Sequence, residues 1–317
     1  MTRAGGERRP LLGGTMVLGA AALWGTLGIF ARALYAVGVA PLELASVRAA
    51  IGFVGLALWM LVRARRPRLR ARDLPFFAAF GAISIALFEY AYFAAIERTT
   101  VAVAVALLYT APAFVVVLSR LTGREAVGGA RLVALAMVLA GVFLVTGAMR
   151  LVLAGAAAVS PAALAYGLLS GLTYGLYTIF GKRALDRYDP VETVLYAFAF
   201  GALALAVAAP PWRPMAAHPA QLPTFLMLGL LPTLASYLLY IGGLRHLSAG
   251  AASILACAEP VVAAILGAAV LGERLGADQV AGIALILGAA VALGRRPGAD
   301  AAELRRGASE VIDTESA

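Results

Sequence analysis

Apolar residues dominate ten long stretches of the chain, and short polar or proline-containing segments separate them. A helix needs roughly 20 mostly apolar residues to cross the hydrocarbon core of a bilayer. The stretches are rich in Ala, Leu and Gly and lack the strict alternation of a membrane β-barrel strand, which indicates helices. The predicted spans are 12–36, 42–62, 75–97, 99–119, 130–148, 161–183, 190–209, 222–245, 249–271 and 277–294.

The chain contains too much apolar surface for a soluble protein of its size. Of its 317 residues, 62% are hydrophobic and 14% are charged, whereas a soluble domain is roughly half apolar and about a quarter charged. Composition therefore excludes a soluble enzyme and a disordered protein. The single cysteine, Cys257, excludes a disulfide-built secreted domain. We predict an all-α integral membrane protein.

Basic residues lie mainly in the segments that follow alternate spans. With the N-terminus in the cytoplasm, 20 of the 26 basic residues fall on the cytoplasmic side and five on the other, with Arg48 inside a span. Because such a bias sets orientation, we predict a multi-pass protein of the inner membrane with both termini cytoplasmic. The first span follows Arg8 and Arg9, but it is too long for a signal peptide and is interpreted as a retained helix.

The second half of the chain repeats the first. Matching residues recur at offsets of 148 to 150 positions: Trp24 and Tyr174, Pro41 and Pro190, Tyr92 and Tyr240, Pro112 and Pro260, Glu125 and Glu273. A shared offset over this length indicates an internal duplication. The predicted organisation is a cytoplasmic N-terminus at 1–11, a first five-helix repeat at 12–148, a linker at 149–160, a second five-helix repeat at 161–294 and a cytoplasmic tail at 295–317.

Five is an odd number of spans, so the second repeat must lie upside down relative to the first. The loop after the second span carries six arginines, whereas its counterpart after the seventh carries only Arg213. Inverted repeats are typical of secondary transporters, in which the two halves gate a site near the bilayer midplane. We predict ten transmembrane helices in two inverted five-helix repeats and transport by alternating access, with a channel as the alternative class.

Several short motifs occur in order within this layout. They are Trp24-Gly25 with Phe30, Arg48 with Phe53, Tyr92 to Ala95, Pro112, Glu125, and in the second half Tyr240, Gly243-Leu244, Glu259-Pro260 and Gly272-Glu273. Over about residues 12–294 the chain resembles the EamA-type drug/metabolite transporters, and among them the aromatic amino acid and paraquat exporters. One departure is Tyr174, which stands where the first half has Trp24. The resemblance implies an inner-membrane exporter of amino acids and other small metabolites.

Three ionisable residues lie well inside predicted spans: Arg48 in the second, Glu89 in the third and Glu259 in the ninth. Each is costly in a bilayer unless it is paired or hydrated, which makes it a functional candidate. We predict that Glu89 and Glu259 take part in proton or substrate handling, with a buried packing role as the alternative. Arg48 is predicted to be a structural ion clamp between helices or onto backbone carbonyls.

Two prolines, Pro112 and Pro260, lie inside the fourth and ninth spans. Proline has no N–H, so each one frees the carbonyl four residues earlier. We therefore predict helix kinks with a gating role at both prolines. At Pro260 the freed carbonyl and the adjacent Glu259 form a polar spot at membrane depth, which only water, protein or ligand can satisfy.

Aromatic residues are predicted to line one cavity together with the buried carboxylates. Residues three apart on a helix share a face, and two-fold symmetry brings equivalent positions of the repeats together. The predicted substrate-binding residues are Trp24, Glu89, Tyr92, Tyr109, Tyr174, Tyr177, Tyr237, Tyr240 and Glu259. Aromatic walls with hydroxyl tips suit a small amphipathic substrate, and helix packing is the alternative role.

The sequence contains no pattern for catalysis or for a cofactor. Two histidines, one cysteine and unclustered carboxylates favour neither a metal site nor a nucleophile, and no glycine-rich phosphate loop is present. Arginines scattered among loops do not form a nucleic-acid-binding face. We predict a non-enzyme without metal or cofactor, whose partners are a small-molecule substrate, membrane lipid and protons, but not nucleic acid.

The predicted function is export of small metabolites, amino acids above all, across the inner membrane. An importer, or a carrier of sugar phosphates or other small organic solutes, is the alternative within transport. Phosphorylated substrates would favour more buried cations than the single Arg48.

Overall fold

A computed structural model describes residues 9–123, 128–155, 159–271 and 274–294, and within these ranges all regular secondary structure is helical. The stretches that are long and apolar enough to cross a membrane are Pro10–Tyr35, Pro41–Val62, Ala71–Ile96, Val101–Leu121, Pro161–Ala184, Pro190–Ala208, Pro219–Leu244 and Ala249–Val270. The prediction of an all-helical membrane protein is therefore confirmed, with eight candidate spans in the described part of the chain. The predicted fifth and tenth spans correspond to shorter apolar helices, Gly129–Val145 and Ala277–Leu293, so a total of ten depends on these two.

The first half begins close to where the apolar pattern predicts. Its helices are α1 (Pro10–Gly25), α2 (Leu27–Tyr35), α3 (Pro41–Val62), α4 (Leu74–Gly81), α5 (Phe88–Ile96), α6 (Val101–Leu108), α7 (Ala111–Leu121), α8 (Gly129–Val145) and α9 (Ala148–Leu153). A 3-10 turn at Ala71–Asp73 precedes α4, and a π-helical turn at Ala82–Leu87 joins α4 to α5. The third span therefore begins at Ala71 rather than at residue 75, and α9 occupies part of the predicted linker.

The second half has nearly the same order of elements. Its helices are α10 (Pro161–Ala184), α11 (Pro190–Ala208), α12 (Trp212–Ala217), α13 (Leu222–Gly229), α14 (Ser236–Leu244), α15 (Ala249–Ala256), α16 (Glu259–Leu271) and α17 (Ala277–Gly294). A 3-10 turn at Pro219–Gln221 precedes α13, and a π-helical turn at Leu230–Ala235 joins α13 to α14.

From the third span onward, the elements of the two halves keep one register. The 3-10 turns, the π-helical turns and the helices that flank them begin 148 residues apart. π-helical turns are rare and occur mostly as single turns inside α-helices. Each one here follows a glycine, Gly81 or Gly229, where a Cβ would collide with the backbone of Gly201 or the side chain of Ile51. The glycines thus allow close helix contact beside each π-helical turn.

Local capping explains where several spans start. The side chains of Thr100, Ser160, Asp189 and Ser248 each accept a hydrogen bond from a backbone N–H in the first helical turn that follows. Such caps satisfy donors that have no partner inside the helix. These residues fix the helix ends independently of the apolar pattern.

Three spans are interrupted near their middles. The fourth breaks between Leu108 and Ala111, and the ninth breaks 148 residues later, between Ala256 and Glu259. The first span breaks at Thr26, whose hydroxyl donates to the carbonyl oxygen of Leu23 at 2.7 Å. The sixth span, its counterpart, is the continuous helix α10.

The two halves exchange their first spans across the molecule. Helix α1 packs against α14, α15 and α16 of the second half, whereas α10 packs against α5, α6 and α7 of the first half. Equivalent helices also pair directly, α3 with α11 and α8 with α17. Elements of both halves therefore surround the centre, where the predicted site residues lie.

Candidate functional site

A buried ion pair joins the second and third spans. The Arg48 guanidinium donates a hydrogen bond to the Glu89 carboxylate, and the two side chains are 10% and 5% exposed. The Tyr237 hydroxyl on α14 lies within hydrogen-bonding reach of the same guanidinium. Because a buried charge is strongly unfavourable without a partner, the pair explains how both residues are accommodated at this depth.

The third ionisable residue, Glu259, begins α16 directly after the break in the ninth span. The hydroxyl of Tyr109, at the break in the fourth span, lies within hydrogen-bonding reach of its carboxyl group. Glu259 is also close enough to Arg48 for a direct electrostatic interaction. The structure thus brings Arg48, Glu89 and Glu259 into one neighbourhood. Pro112 and Pro260 lie in the first turns of α7 and α16, immediately after the two breaks.

Aromatic rings from the first, sixth and eighth spans form one cluster. The Trp24 ring centroid lies 5.3 Å from those of Tyr237 and Tyr240 and 6.4 Å from that of Tyr174. Tyr177 joins the cluster at 5.0 Å from Tyr237. The edge-on and tilted geometries are those that aromatic pairs prefer. Five of the predicted residues are therefore in mutual contact.

Two further aromatic residues, which the sequence analysis did not select, complete this region. Phe88 lies between Tyr92 and Tyr174, with centroid distances of 6.2 and 5.5 Å. It could have been found from its position one helical turn before Tyr92. Tyr35, at the end of α2, is 42% exposed and lies near Arg48 and Tyr92, but no sequence signal marks it.

The cluster is closely packed in this conformation. Tyr177 is 1% and Tyr240 is 3% exposed, and the cavity between Pro112, Tyr174 and Tyr240 measures about 10 Å³, room for about one water molecule. The Tyr240 hydroxyl lies 2.6 Å from that of Thr178. The buried Tyr177 hydroxyl, in contrast, has no hydrogen-bond partner among the described residues. A buried hydroxyl without a partner is unusual enough to require an explanation.

A second polar network connects the arginine-rich loop after the second span to the loop after the sixth. Arg187 donates to Asp73 at 2.8 Å, the Tyr188 hydroxyl donates to Asp73 at 2.7 Å, and Arg65 donates to Asp189 at 2.8 Å. Burial and the hydrogen bond to Asp73 raise the pKa of Tyr188, so the phenol remains a donor at neutral pH. We call these five residues the loop latch.

An aromatic layer lies between the loop latch and the aromatic cluster. Phe77 and Phe80 have no exposed surface. Phe77 contacts Tyr188 at 5.0 Å, and Phe80 contacts Tyr177 at 5.0 Å between ring centroids. A larger pocket of about 380 Å³ opens beside the loop latch, lined in part by Asp73 and Arg187. Aromatic rings of Phe77 and Phe80 thus lie between this pocket and the aromatic cluster.

The remaining candidates lie apart from this centre. His246, which lies just after α14, accepts a hydrogen bond from the Arg9 N–H at 3.5 Å. Burial and the positive charges of Arg245, Arg9 and Lys182 lower the pKa of His246. Glu125, Glu273 and the terminal segments 1–8 and 295–317 lie outside the described residues. In the described part of the chain, no group of three His, Cys, Asp or Glu residues could hold a metal ion.

Comparison with known proteins gives consistent matches. The model of the EamA-like transporter family matches residues 11–147 and again residues 161–295. A protein of Archaeoglobus fulgidus, named as an uncharacterized transporter, is 31% identical over 84% of this chain and 90% of its own length. A protein of Salmonella typhimurium, named as the uncharacterized inner membrane transporter YicL, is 28% identical over 87% of this chain and 92% of its own length.

A solved crystal structure has the same fold. It superposes with a TM-score of 0.72 over 90% of this chain and 98% of that chain, at 19% sequence identity. At this identity the likeness concerns the fold alone.

Proposed function

The chain belongs to the EamA-like transporter family, and from that premise we propose that it exports small metabolites, amino acids above all, by alternating access. The observation that carries this proposal is the central cluster, in which rings and ionisable groups from both halves meet inside the spans. Alternating access needs one site that both halves surround. The exchanged packing of α1 and α10 provides that arrangement.

The proposed membrane topology is ten spans in two inverted five-helix repeats. Two observations support it: the constant register of 148 residues between elements of the two halves, and the family model that matches each half separately. The bias of basic residues supports cytoplasmic termini. The inner membrane is the proposed location, in keeping with the name of the Salmonella relative.

The proposed substrates are small amphipathic amines and amino acids, with aromatic amino acids as the first to test. Rings of Trp24, Tyr174 and Tyr240 offer apolar and edge-to-face contacts, and the unpartnered Tyr177 hydroxyl offers a hydrogen bond. The full set of proposed binding residues remains Trp24, Glu89, Tyr92, Tyr109, Tyr174, Tyr177, Tyr237, Tyr240 and Glu259. Arg48 clamps the second span to the third through Glu89, and Pro112 and Pro260 are the proposed gating breaks.

Glu259 is the proposed proton-handling group. Its carboxyl lies at a helix break, within reach of the Tyr109 hydroxyl. Among the described residues no salt bridge of Glu259 is found, whereas Glu89 pairs with Arg48. A carboxyl in such surroundings gains or loses a proton more readily than it carries a permanent charge. The proposed partners are then a small-molecule substrate, protons and membrane lipid, without nucleic acid.

The test is uptake into liposomes that contain the purified full chain, with a panel of amino acids, in the presence and absence of a pH gradient. We expect uptake of aromatic amino acids that increases when unlabelled substrate is present on the opposite side. Such trans-stimulation is expected of a carrier and not of a channel. Glu259→Gln should retain expression but lose most of the response to the pH gradient.

Three results would each contradict a part of the proposal. Absence of uptake for every amino acid, in protein that is monodisperse and folded, would remove amino acids as the substrate class. Uptake without trans-stimulation would favour the channel. Normal transport by Glu259→Gln across pH 5–8 would return that residue to a packing role.

A further inference from the structure

We propose that Arg48 is the receptor for the carboxylate of the substrate, and that the substrate carboxylate takes the place that Glu89 occupies in this conformation. Glu259 then binds the substrate's ammonium group. The inference rests on the proposed function and narrows the substrate class to zwitterionic α-amino acids. It gives the ion pair a role in recognition as well as in holding the second and third spans together.

The surroundings of Arg48 support a role beyond a clamp. A pure clamp requires one partner. The guanidinium pairs with the Glu89 carboxylate and also lies near the Tyr237 hydroxyl and the Glu259 carboxyl group. A guanidinium has five N–H donors arranged to bind carboxylates in a bidentate manner. Arg48 is also near Tyr35, which is 42% exposed. The pair therefore lies between the aromatic cluster and a partly exposed edge of the protein.

The count of charges at the centre leaves room for an amino group. Among the described residues of this centre, one cation, Arg48, lies near two carboxyl groups, Glu89 and Glu259. With Arg48 matched by Glu89, the centre is electrically neutral only when Glu259 holds a proton. An ammonium group is the other species that can neutralise Glu259, and nearby aromatic rings favour such a cation.

Binding of a zwitterionic substrate leaves the net charge of the centre unchanged. The substrate carboxylate binds Arg48, and its ammonium group binds ionised Glu259. The proton that Glu259 gives up passes to Glu89, which has lost its pairing with Arg48. The centre is therefore neutral before and after the binding step.

The position of Glu89 connects this exchange to the backbone. Glu89 is the second residue after the π-helical turn Ala82–Leu87, the least regular part of the third span. Release of Glu89 from Arg48 removes the ion pair that ties this part of the span to α3. Substrate binding and loosening of the second and third spans would then be one event.

The experiment measures binding of three probes: L-phenylalanine, L-phenylalaninamide, which lacks the carboxylate, and N-acetyl-L-phenylalanine, which lacks the ammonium group. Fluorescence of Trp24, which is in the cluster, reports binding in the full chain once Trp59 and Trp212 are changed to Phe. Those two residues are exposed, at 42% and 64%. We expect phenylalanine to bind at least about tenfold more tightly than either analogue, the effect of one charged hydrogen-bonded contact.

Three variants assign each preference to a residue. The double variant Arg48→Gln/Glu89→Gln keeps a hydrogen-bonding pair without charges, and it should lose the preference for phenylalanine over the amide. The matched variant Glu259→Gln should keep the preference for phenylalanine over the amide. It should lose the preference for phenylalanine over N-acetyl-phenylalanine. Glu89→Gln removes the competing carboxylate, so phenylalanine and N-acetyl-phenylalanine should both bind more tightly, by about tenfold.

The outcomes separate this inference from the proposed function. If the wild-type chain binds phenylalanine and its amide equally well, Arg48 is not a carboxylate receptor, although amino acid binding stands. If the double variant keeps the preference, or if Glu89→Gln does not tighten carboxylate binding, the inference is wrong. A wild-type chain that binds none of the three probes contradicts the proposed amino acid substrate itself.

Discussion

The two halves of this protein have the same backbone plan but different chemistry. From the third span onward, their helices, 3-10 turns and π-helical turns begin 148 residues apart. Yet Ala111 stands in the first half where the second has Glu259, and Tyr237 stands in the second where the first has Glu89. The duplication thus provides a symmetric frame, whereas the charged residues of the centre, Arg48, Glu89 and Glu259, have no charged counterpart in the other half.

The halves also differ in one mechanical respect. The first span is broken at Thr26, whereas α10 is continuous through the equivalent position. Gly25 at the break faces α16, where a Cβ would come within 2.8 Å of the Val262 side chain. Helix α1 is therefore packed closely against the helix that Glu259 begins. The first and sixth spans are therefore equivalent in sequence but differ in helix continuity.

Reporter fusions test the predicted opposite orientation of the two halves, because each fusion reports one side of the membrane or the other. If the repeats are inverted, fusions in the 63–72 loop and at residue 310 should report the cytoplasm, whereas a fusion in the 210–220 loop should report the opposite side. The reason is that six arginines follow the second span and one follows the seventh. A common location for the two loops would mean that the halves have the same orientation, and the shared centre would lose its basis.

Removal of the buried arginine, Arg48, which has no charged counterpart in the second half, should have the largest effect on stability. Arg48→Ala leaves the buried Glu89 carboxylate without its partner, and such losses amount to about 3–5 kcal/mol. Thermal unfolding of the detergent-solubilised chain measures this. Arg48→Met/Glu89→Met should recover most of the loss, and Arg213→Ala, at an exposed arginine, should change little. A double variant as unstable as the single one would show that the pair is not what holds these residues.

The loop latch is a further asymmetry, because Asp73 corresponds to Gln221 in the second half. Asp73→Gln therefore gives both halves the same residue and removes the acceptor for Arg187 and Tyr188. We expect severalfold faster labelling of Tyr177→Cys, in a Cys257→Ser background, by a membrane-impermeant thiol reagent applied from the side of the 63–72 loop. The matched variant Gln221→Asp should not alter the labelling rate. Equal rates with and without Asp73 would show that the latch does not control access.

The smallest expected effect concerns Tyr92 and Tyr240, which occupy equivalent positions in the two halves. Tyr240 shares a hydrogen bond with Thr178, whereas no hydrogen bond of the Tyr92 hydroxyl is found among the described residues. Tyr240→Phe should therefore lower the free energy of unfolding by about 1 kcal/mol, and Tyr92→Phe by less. Equal losses would indicate that the two positions are equivalent in energy as well as in sequence.

Much of this fold can be predicted from the sequence because membrane spans follow from local composition. Eight of the predicted segments meet the requirement for a span, and shorter helices lie at the other two. The break at Thr26 and the two π-helical turns could not be foreseen, because the apolar pattern continues through them, and the close helix contacts beside the π-helical turns involve residues distant in sequence. Gly81, for example, meets Gly201, and its own neighbours in sequence do not indicate this.

The candidate site divides in the same way. Arg48, Glu89 and Glu259 could be selected individually, because a charge inside an apolar span stands out in any sequence. Their partners could not be assigned, because Arg48 and Glu89 are 41 residues apart. The loop latch joins residues that are separated by 114 to 124 positions in the sequence. Its residues lie in polar segments, where Asp and Arg are common and do not stand out. The sequence therefore identifies individual charged residues, whereas their partners can be assigned only from the structure.

The π-helical turns also bear on ancestry. A π-helical turn closes its hydrogen bonds over five residues instead of four, so each one corresponds to a single residue inserted into an otherwise regular helix. The same extra residue lies at the same register in both halves, after Gly81 and after Gly229. One insertion in an ancestral five-span sequence, copied when that sequence doubled, accounts for both. The shared register thus favours an origin of the π-helical turn before the duplication.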